Sequence, residues 1–428
     1  MLALCEKIGF VVFYKKKNIY SFNALIGALE TVSGLSDINL YFIRGSENLD
    51  NELERICENH QKVVLGISFF TPQLWEINGL LKLLRAKYKE KVLFVAGGPH
   101  PTGDPKGTLK MGFDIVVVGE GEETLIEILI NVRNNKDFDA IRGIAYFNKD
   151  KMLITTKKRR WIDLDKYPPL PVKNVKFGAI EITRGCPYAC YFCQTPYLLG
   201  TLPRHRSIKS ICNAVRFMKT YDKTDIRFIT PNAFSYGSLD GKTLNIPLLE
   251  KLLIEITKII KPKGKIYLGS FPSEVRPEHV TKETLGLILK YAANDNIVLG
   301  AQSGSQKVLN SCNRGHSIKD VYNAVKLTLE AGLIPKVDFI FNLPGETEED
   351  IELTIDFIYK ISDMGAKIHS HTFMPLPLTR FAYEDVKEVD ERIVKTISKL
   401  SSQGLAYGEW KKQEKIAKDI SKYLKKMN

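Results

Sequence analysis

Cys186, Cys190 and Cys193 stand in the stretch CPYACYFC, at the spacing Cys-x3-Cys-x2-Cys. Thiolates at that density suit zinc and iron–sulfur clusters alike. Zinc sites tend to come as two separated Cys or Cys/His pairs, and no second pair follows downstream. A cluster held by only three thiolates keeps one iron open for a substrate-like ligand, so the missing fourth cysteine is itself informative. Other groups of catalytic type are sparser. His100 follows an apolar run in a Gly-Gly-Pro turn, where it either faces a ligand or serves the fold. His369 and His371 alternate along one strand face, as substrate contacts or as satisfied polar groups of an interior.

These residues need elements to hold them. Residues 1–145 alternate apolar runs at 8–13, 63–69, 92–96 and 115–118 with amphipathic stretches at 21–33, 50–59, 73–88 and 122–134. Continuously apolar strands separated by helices predict a parallel, Rossmann-like sheet covered on both faces. Several runs end in small or turn-forming residues: SFFTP at 68–72, GGPHPTGDP at 97–105, GEGEE at 119–123. Ligands bind at such carboxyl ends, and glycine lets backbone approach them closely. The absence of a GxGxxG fingerprint argues against a nicotinamide cofactor.

Residues 146–175 change character. A hairpin turning at 148–150 and the rigid connector YPPLP mark a domain boundary there. Over 176–384 the alternation resumes. Strands are expected at 178–183, 225–230, 265–270, 297–301, 335–341 and 366–374, and helices at 207–220, 246–260, 281–293, 317–331 and 347–363. Six strand–helix units predict a partial (β/α)6 barrel with its chemistry at the carboxyl ends of the strands. The three cysteines follow the first of those strands. Residues 385–428 read as a basic, helical C-terminal segment.

The 428 residues leave room for two or three domains. A net charge of +13, carried mainly by lysine and dense at 15–17, 157–160 and 409–428, reads as a solvated surface or as a site for a polyanion such as RNA. No aromatic-and-basic RNA module accompanies it. Cys5, Cys57, Cys212 and Cys312 scatter without a pairing rhythm. They read as small buried side chains in a reducing, cytoplasmic compartment rather than as a disulfide framework. No apolar run approaches the roughly 18 residues of a membrane helix, and the N-terminus lacks the features of a signal peptide.

CPYACYFC, placed after a strand and with Tyr191 and Phe192 before its third cysteine, resembles the signature of the radical SAM superfamily. Later stretches follow in that family's order. GAQSGS at 300–305 is similar to the fourth-strand segment that touches the ribose and carboxylate of S-adenosylmethionine, with Gln302 where a glutamate is common. DFIFNLPGET at 338–347 resembles the fifth-strand segment beside the adenine, and FMPLP at 373–377 fits the sixth-strand end. FITPNAF at 228–234 occupies the place of the segment receiving the methionine amino group, with Pro231 and Asn232 in place of the usual carboxylate. The resemblance implies a [4Fe-4S] cluster on Cys186, Cys190 and Cys193. It also implies S-adenosylmethionine contacts at Phe192, Asn232, Gln302, Ser303, Asp338, Asn342 and Gly345.

GGPHPTGDP followed by FDIVVVGEGEETL is similar to the end of the cobalamin (B12)-binding domain fused to many radical SAM enzymes. That implies cobalamin contacts at Ser68, Gly97, Gly98, His100, Gly119, Glu120 and Gly121. One departure stands out: such domains often present Asp-x-His-x-x-Gly after the first strand, whereas this chain reads YKKKNIYSFNALIGALE, with no histidine before His60. Methylthiotransferases carry further cluster cysteines in a different N-terminal domain, and Cys5 and Cys57 form no such set. The resemblance spans roughly residues 1–380. It implies reductive cleavage of S-adenosylmethionine by a cobalamin-dependent methylase of an unactivated carbon, served by a reductant protein such as ferredoxin or flavodoxin. The rivals are radical ring formation or C–C coupling with a degenerate B12 domain, and a non-catalytic metal-binding protein. The substrate stays open among lipid, peptide, cofactor precursor and tRNA.

Overall fold

A computed structural model describes residues 8–427. Cys5 and the stretch before Ile8 lie outside the described residues. Two compact units divide the chain, Met1–Gly178 and Ala179–Asn428.

The first unit is built on a seven-stranded sheet. Its strands are β1 (Ile8–Phe13), β2 (Asn39–Ile43), β3 (Lys62–Ser68), β4 (Val92–Gly97), β5 (Ile115–Val117), β6 (Ile144–Phe147) and β7 (Leu153–Thr155), in the order β2-β1-β3-β4-β5-β6-β7. The first five are parallel; β6 and β7 continue the sheet antiparallel. The apolar runs account for β1 and β3, which are buried almost throughout. Edge strand β2 escapes the same reading because NLYFI is short and only its last residue is buried. The hairpin expected as part of a linker is instead the last two strands of this sheet, and the first compact unit extends to Gly178.

The order 2-1-3-4-5 reverses direction between β1 and β3, which opens a crevice at their carboxyl ends. Asn18 sits at that reversal, its Nδ2 donating to the carbonyls of Phe13 and Ser68 at 3.0 Å each.

In the second unit, β8 (Ile180–Glu181) leads through β9 (Thr183–Arg184), which pairs antiparallel with β10 (Arg204–His205). Strand β11 (Asp225–Ile229) lies parallel between β8 and β12 (Lys265–Tyr267). A parallel bridge from Val275 to Leu299 carries the wall on to β13 (Asn296–Gln302), β14 (Ile334–Phe341) and β15 (Lys367–Thr372). Helices 208–219, 246–260, 282–291, 318–330 and 348–363 intervene, close to the expected spans. The C-terminal segment is not wholly helical: β16 (Ala406–Tyr407) adds a further parallel strand beside β15, between helices Glu391–Ser402 and Trp410–Met427. The last helix buries Trp410, Ala417, Ile420 and Leu424, while Lys418 pairs with Glu388. Among the described residues no helix is long and apolar enough to cross a membrane.

Candidate functional site

Gly185 sets the entry to the cysteine loop. It adopts φ +93°, and a Cβ there would lie 2.4 Å from the Leu202 carbonyl, so no larger residue fits without moving backbone. Cys186 N–H donates to the Gly200 carbonyl and Cys193 N–H to that of Cys190. Tyr191 N–H donates to the Cys312 carbonyl, and Phe381 N–H to that of Tyr191. Tyr191 and Phe192 pack on the cluster of Val308, Cys312, Leu343, Phe373 and Phe381. The loop is therefore pinned from three sides of the barrel mouth.

Burial pushes the Cys186 thiol up, and it pushes that of Cys193 up to about 11. Thiolates there need compensating positive charge, which cluster iron or a metal ion supplies. The sulfurs are not drawn together as the ligands of a single ion would be. Zinc–sulfur bonds of about 2.3 Å place tetrahedral thiolates roughly 3.8 Å apart. Among the described residues, the trio of His, Cys or carboxylate groups whose donor atoms all lie within 4.8 Å of one another is Asp338, His369 and His371, not the cysteines. The donor set fits a multinuclear cluster better than mononuclear zinc.

Two buried arginines flank the loop, and neither is marked out by the sequence pattern. Arg314 Nη1 lies 3.6 Å from Cys190 Sγ, and its Nη2 donates to the Gly300 carbonyl at 2.8 Å. The Arg276 guanidinium stacks on the Tyr188 ring at 3.3 Å from its centroid and donates to the Arg314 carbonyl. Both come from short irregular stretches, VRPE and NRGH, that resemble solvated loops.

The other expected residues lie along the strand ends. Gln302 is buried and left-handed, with φ +78°, at a register shift in β13. Such a bulge re-aims a side chain. Ser303 Oγ instead accepts from Ser305 N–H and lies 3.3 Å from Thr354 Oγ1, which ties the turn to helix 348–363. Asn342, also left-handed, donates its N–H to Glu346 across the turn that holds Gly345. Asn232 is buried and committed to the neighbouring turn, through His279 Nδ1 at 2.5 Å and Arg276 N–H at 3.3 Å. Asp338 lies mid-strand, with Gly300 and His369 as its register partners, and its carboxylate contacts His369. Burial and Asp338 push the nearby Glu274 carboxyl up, against Arg314 and Arg276.

In the first unit, Gly98 at φ +97° brings the end of β4 close to β3: a Cβ would lie 2.7 Å from Ser68 Oγ. Gly119, at φ +88°, has no atom within 4 Å of where a Cβ would stand, so open space lies beside it. Gly97 is nearly as open, whereas a Cβ at Gly121 would press on Leu25. Two expected cobalamin contacts are turned inward. Glu120 is buried and accepts from Ile162 N–H at 2.9 Å. His100 is fully buried, with Nδ1 3.2 Å from Thr71 Oγ1 and its ring beside Phe69. Burial pulls its pKa down to about 4, with Asp104 opposing. Of the two roles open to His100, packing within the domain against Phe69 and Thr71 is the one its surroundings display. The apolar crevice with glycine-lined loops still suits a large planar ligand.

Residues 180–358 match the profile of the radical SAM superfamily, and residues 24–129 match that of the B12 binding domain. An uncharacterized methyltransferase of Pyrococcus horikoshii, PH0819, is 26% identical over 343 residues, covering 77% of this chain and 71% of that protein. A putative methylthiotransferase of Methanocaldococcus jannaschii, MJ0865, is 30% identical over 279 residues, covering 63% and 58%. Among solved structures, the radical S-adenosylmethionine methyltransferase TsrM of Kitasatospora setae, with cobalamin and a [4Fe-4S] cluster bound, superposes with a TM-score of 0.69 at 16% identity. It covers 90% of this chain and 78% of that one, a likeness of fold.

Proposed function

This chain belongs to the radical SAM superfamily and carries an N-terminal B12-binding domain, and from that premise we propose that it is a cobalamin-dependent methylase of an unactivated carbon. The observation that carries the reading is the pairing, in one chain, of an open-ended three-cysteine loop at a barrel mouth with a sheet whose switch-point crevice is lined by glycine turns. The name of the Pyrococcus relative supports methyl transfer. When bound, the [4Fe-4S] cluster supplies the electron that cleaves S-adenosylmethionine reductively, and cobalamin supplies the transferable methyl group.

Cys186, Cys190 and Cys193 hold the cluster and leave one position for the methionine end of S-adenosylmethionine. Gln302, re-aimed by its bulge, and the turn of Asn342 and Gly345 bind the rest of that molecule, with Phe192 beside the third thiolate. Gly97 and Gly119 admit the corrin, and Ser68, Gly98 and Gly121 complete the loop ends around it. A one-electron donor is required, and we assign that role to a ferredoxin or flavodoxin. A second reading, radical ring formation or coupling without methyl transfer, is favoured by one observation: the first loop has no cobalt-ligating histidine.

Anaerobic turnover of the reconstituted protein with lipid, peptide, cofactor-precursor and tRNA pools separates the two. Methylation yields 5′-deoxyadenosine and S-adenosylhomocysteine together, with cobalamin bound. 5′-Deoxyadenosine without S-adenosylhomocysteine, and without bound cobalamin, gives the second reading.

A further inference from the structure

Asp338 and His369 are register partners on adjacent strands β14 and β15, and His371 stands one step further along β15 on the same face. On both strands residues of this face are half-buried and alternate with fully buried ones packed outward. The three donor atoms converge. His369 Nδ1 lies 2.9 Å from Asp338 Oδ1 and 3.1 Å from His371 Nε2. The Tyr407 ring stacks on His369 at 4.5 Å and 11°, fixing the imidazole plane.

With both histidines neutral and Asp338 ionised, no placement of the protons satisfies every contact of this trio. Gln413 Oε1 accepts from Thr372 N–H at 2.9 Å, which orients its amide so that Nε2 donates to His371 Nδ1. His371 then carries its proton on Nε2 and points it at His369 Nδ1. That leaves His369 Nδ1 an acceptor facing the Asp338 carboxylate, two lone pairs at 2.9 Å. Placing the proton on His369 Nδ1 satisfies Asp338 but sets two N–H donors against each other. Each such arrangement leaves one mismatched pair at contact distance.

We propose that Asp338, His369 and His371 form a mononuclear divalent transition-metal site, separate from the cysteine loop. Two histidines and one carboxylate are a recognised ligand set for zinc and for non-haem iron, with positions left open for water or substrate. Metal–ligand bonds of about 2.0–2.1 Å place neighbouring donors roughly 2.9 Å apart in octahedral and 3.4 Å in tetrahedral geometry, which brackets the two spacings to His369 Nδ1. With a cation among the three donors, the His371 proton moves to Nδ1. A small turn of the Gln413 amide lets Oε1, with its two lone pairs, accept from both Thr372 N–H and His371 Nδ1–H. That is the outer hydrogen bond a metal-bound histidine makes. The open positions suit an oxygen- or nitrogen-bearing group of a small ligand. The proposal stands whether or not the protein transfers methyl groups.

The test is zinc loading of the reconstituted, cluster-bearing protein, read by elemental analysis and zinc-edge X-ray absorption. One zinc per chain is expected in addition to the cluster iron, with a shell of nitrogen and oxygen and no sulfur at about 2.3 Å. His369→Ala and His371→Ala should each weaken zinc binding at least tenfold while keeping cluster iron. Gln413→Leu should weaken it about tenfold while keeping cluster iron, and Gln413→Glu should restore it. No zinc above background, a zinc shell containing sulfur, or zinc retained in both histidine variants would each overturn the site.

Discussion

The Arg314 guanidinium lies 3.6 Å from Cys190 Sγ while its other arm holds the Gly300 carbonyl at 2.8 Å. One side chain thus couples a sulfur of the cysteine loop to the strand that ends in Gln302. A cation and an N–H directed at a ligating sulfur favour the reduced cluster. Arg314→Met should therefore lower the midpoint potential of the cluster and slow reductive cleavage of S-adenosylmethionine at equal iron content. Arg314→Lys should recover part of the shift. A potential unchanged in Arg314→Met by spectroscopic titration would show that the arginine serves packing alone.

The cysteines are tested most simply. Cys186→Ala, Cys190→Ala and Cys193→Ala should each lose the cluster absorption and all 5′-deoxyadenosine formation, because a three-thiolate cluster has no spare ligand. Cys312 is buried beside the loop, its carbonyl accepting from Tyr191 N–H. Cleavage with intact iron in any one variant would remove that residue from the ligand set.

Two glycines separate backbone strain from steric collision. At Gly185 an added methyl meets a carbonyl at 2.4 Å in a left-handed conformation, so Gly185→Ala must move the cysteine loop. At Gly345 the conformation is left-handed, but nothing lies within 4 Å of the new Cβ. Gly185→Ala should lose most of its iron, whereas Gly345→Ala should keep the cluster and cost about 1 kcal/mol. Equal iron loading in the two would show that the loop relaxes around the collision.

Much of this was legible from the chain because the signals are local. Buried parallel strands are continuously apolar, and Cys-x3-Cys-x2-Cys after a strand carries its chemistry in its spacing. What escaped is non-local. Arg276 and Arg314 look like loop arginines until the fold buries them against Tyr188 and Cys190. Short β16 is a strand only because β15 offers it a partner, and Asn18 gains meaning only when β1 and β3 diverge beside it. The two roles open to His100 could not be separated from its glycine-flanked loop alone; the Phe69 ring and Thr71 that enclose it come from a different loop. The resemblance of DFIFNLPGET groups Asp338 with Asn342 and Gly345, and only strand register adds that its carboxylate meets His369.

Glu346 should make stability pH-dependent. Burial raises its carboxyl from 4.5 to about 7, against an opposing hydrogen bond from Asn342 N–H. Below pH 4.5 the folded and unfolded chains both hold the proton, and the site carries no penalty. Between pH 4.5 and 7 the unfolded chain releases it first, so stability falls as pH rises, by about 3 kcal/mol at the limit. Glu346→Gln keeps an acceptor for Asn342 and has no proton to lose. Its unfolding free energy at pH 8, relative to wild type, should exceed that at pH 5. A difference independent of pH would mean that Glu346 is ionised at little cost.

The first unit has two histidines among its described residues, and neither stands at the switch-point crevice. His60 precedes β3, at the amino end of the sheet, with Nδ1 3.0 Å from the Ile56 carbonyl and Nε2 2.9 Å from Asn39. His100 is fully buried behind Phe69. In the loop after β1, where the chain has no histidine, the Asn18 amide is committed to the Phe13 and Ser68 carbonyls. Cobalamin bound here should therefore lack a histidine of this unit on its lower face. Electron paramagnetic resonance of the Co(II) form can decide this, provided that nitrogen of the cofactor's own base is separated from nitrogen of the protein. Labelling the protein with 15N-histidine should leave the superhyperfine pattern unchanged. A pattern that changes on labelling would place a histidine on cobalt. His100→Ala would then be the first variant to make, since only a rearrangement of the Phe69 loop could bring that ring to the crevice.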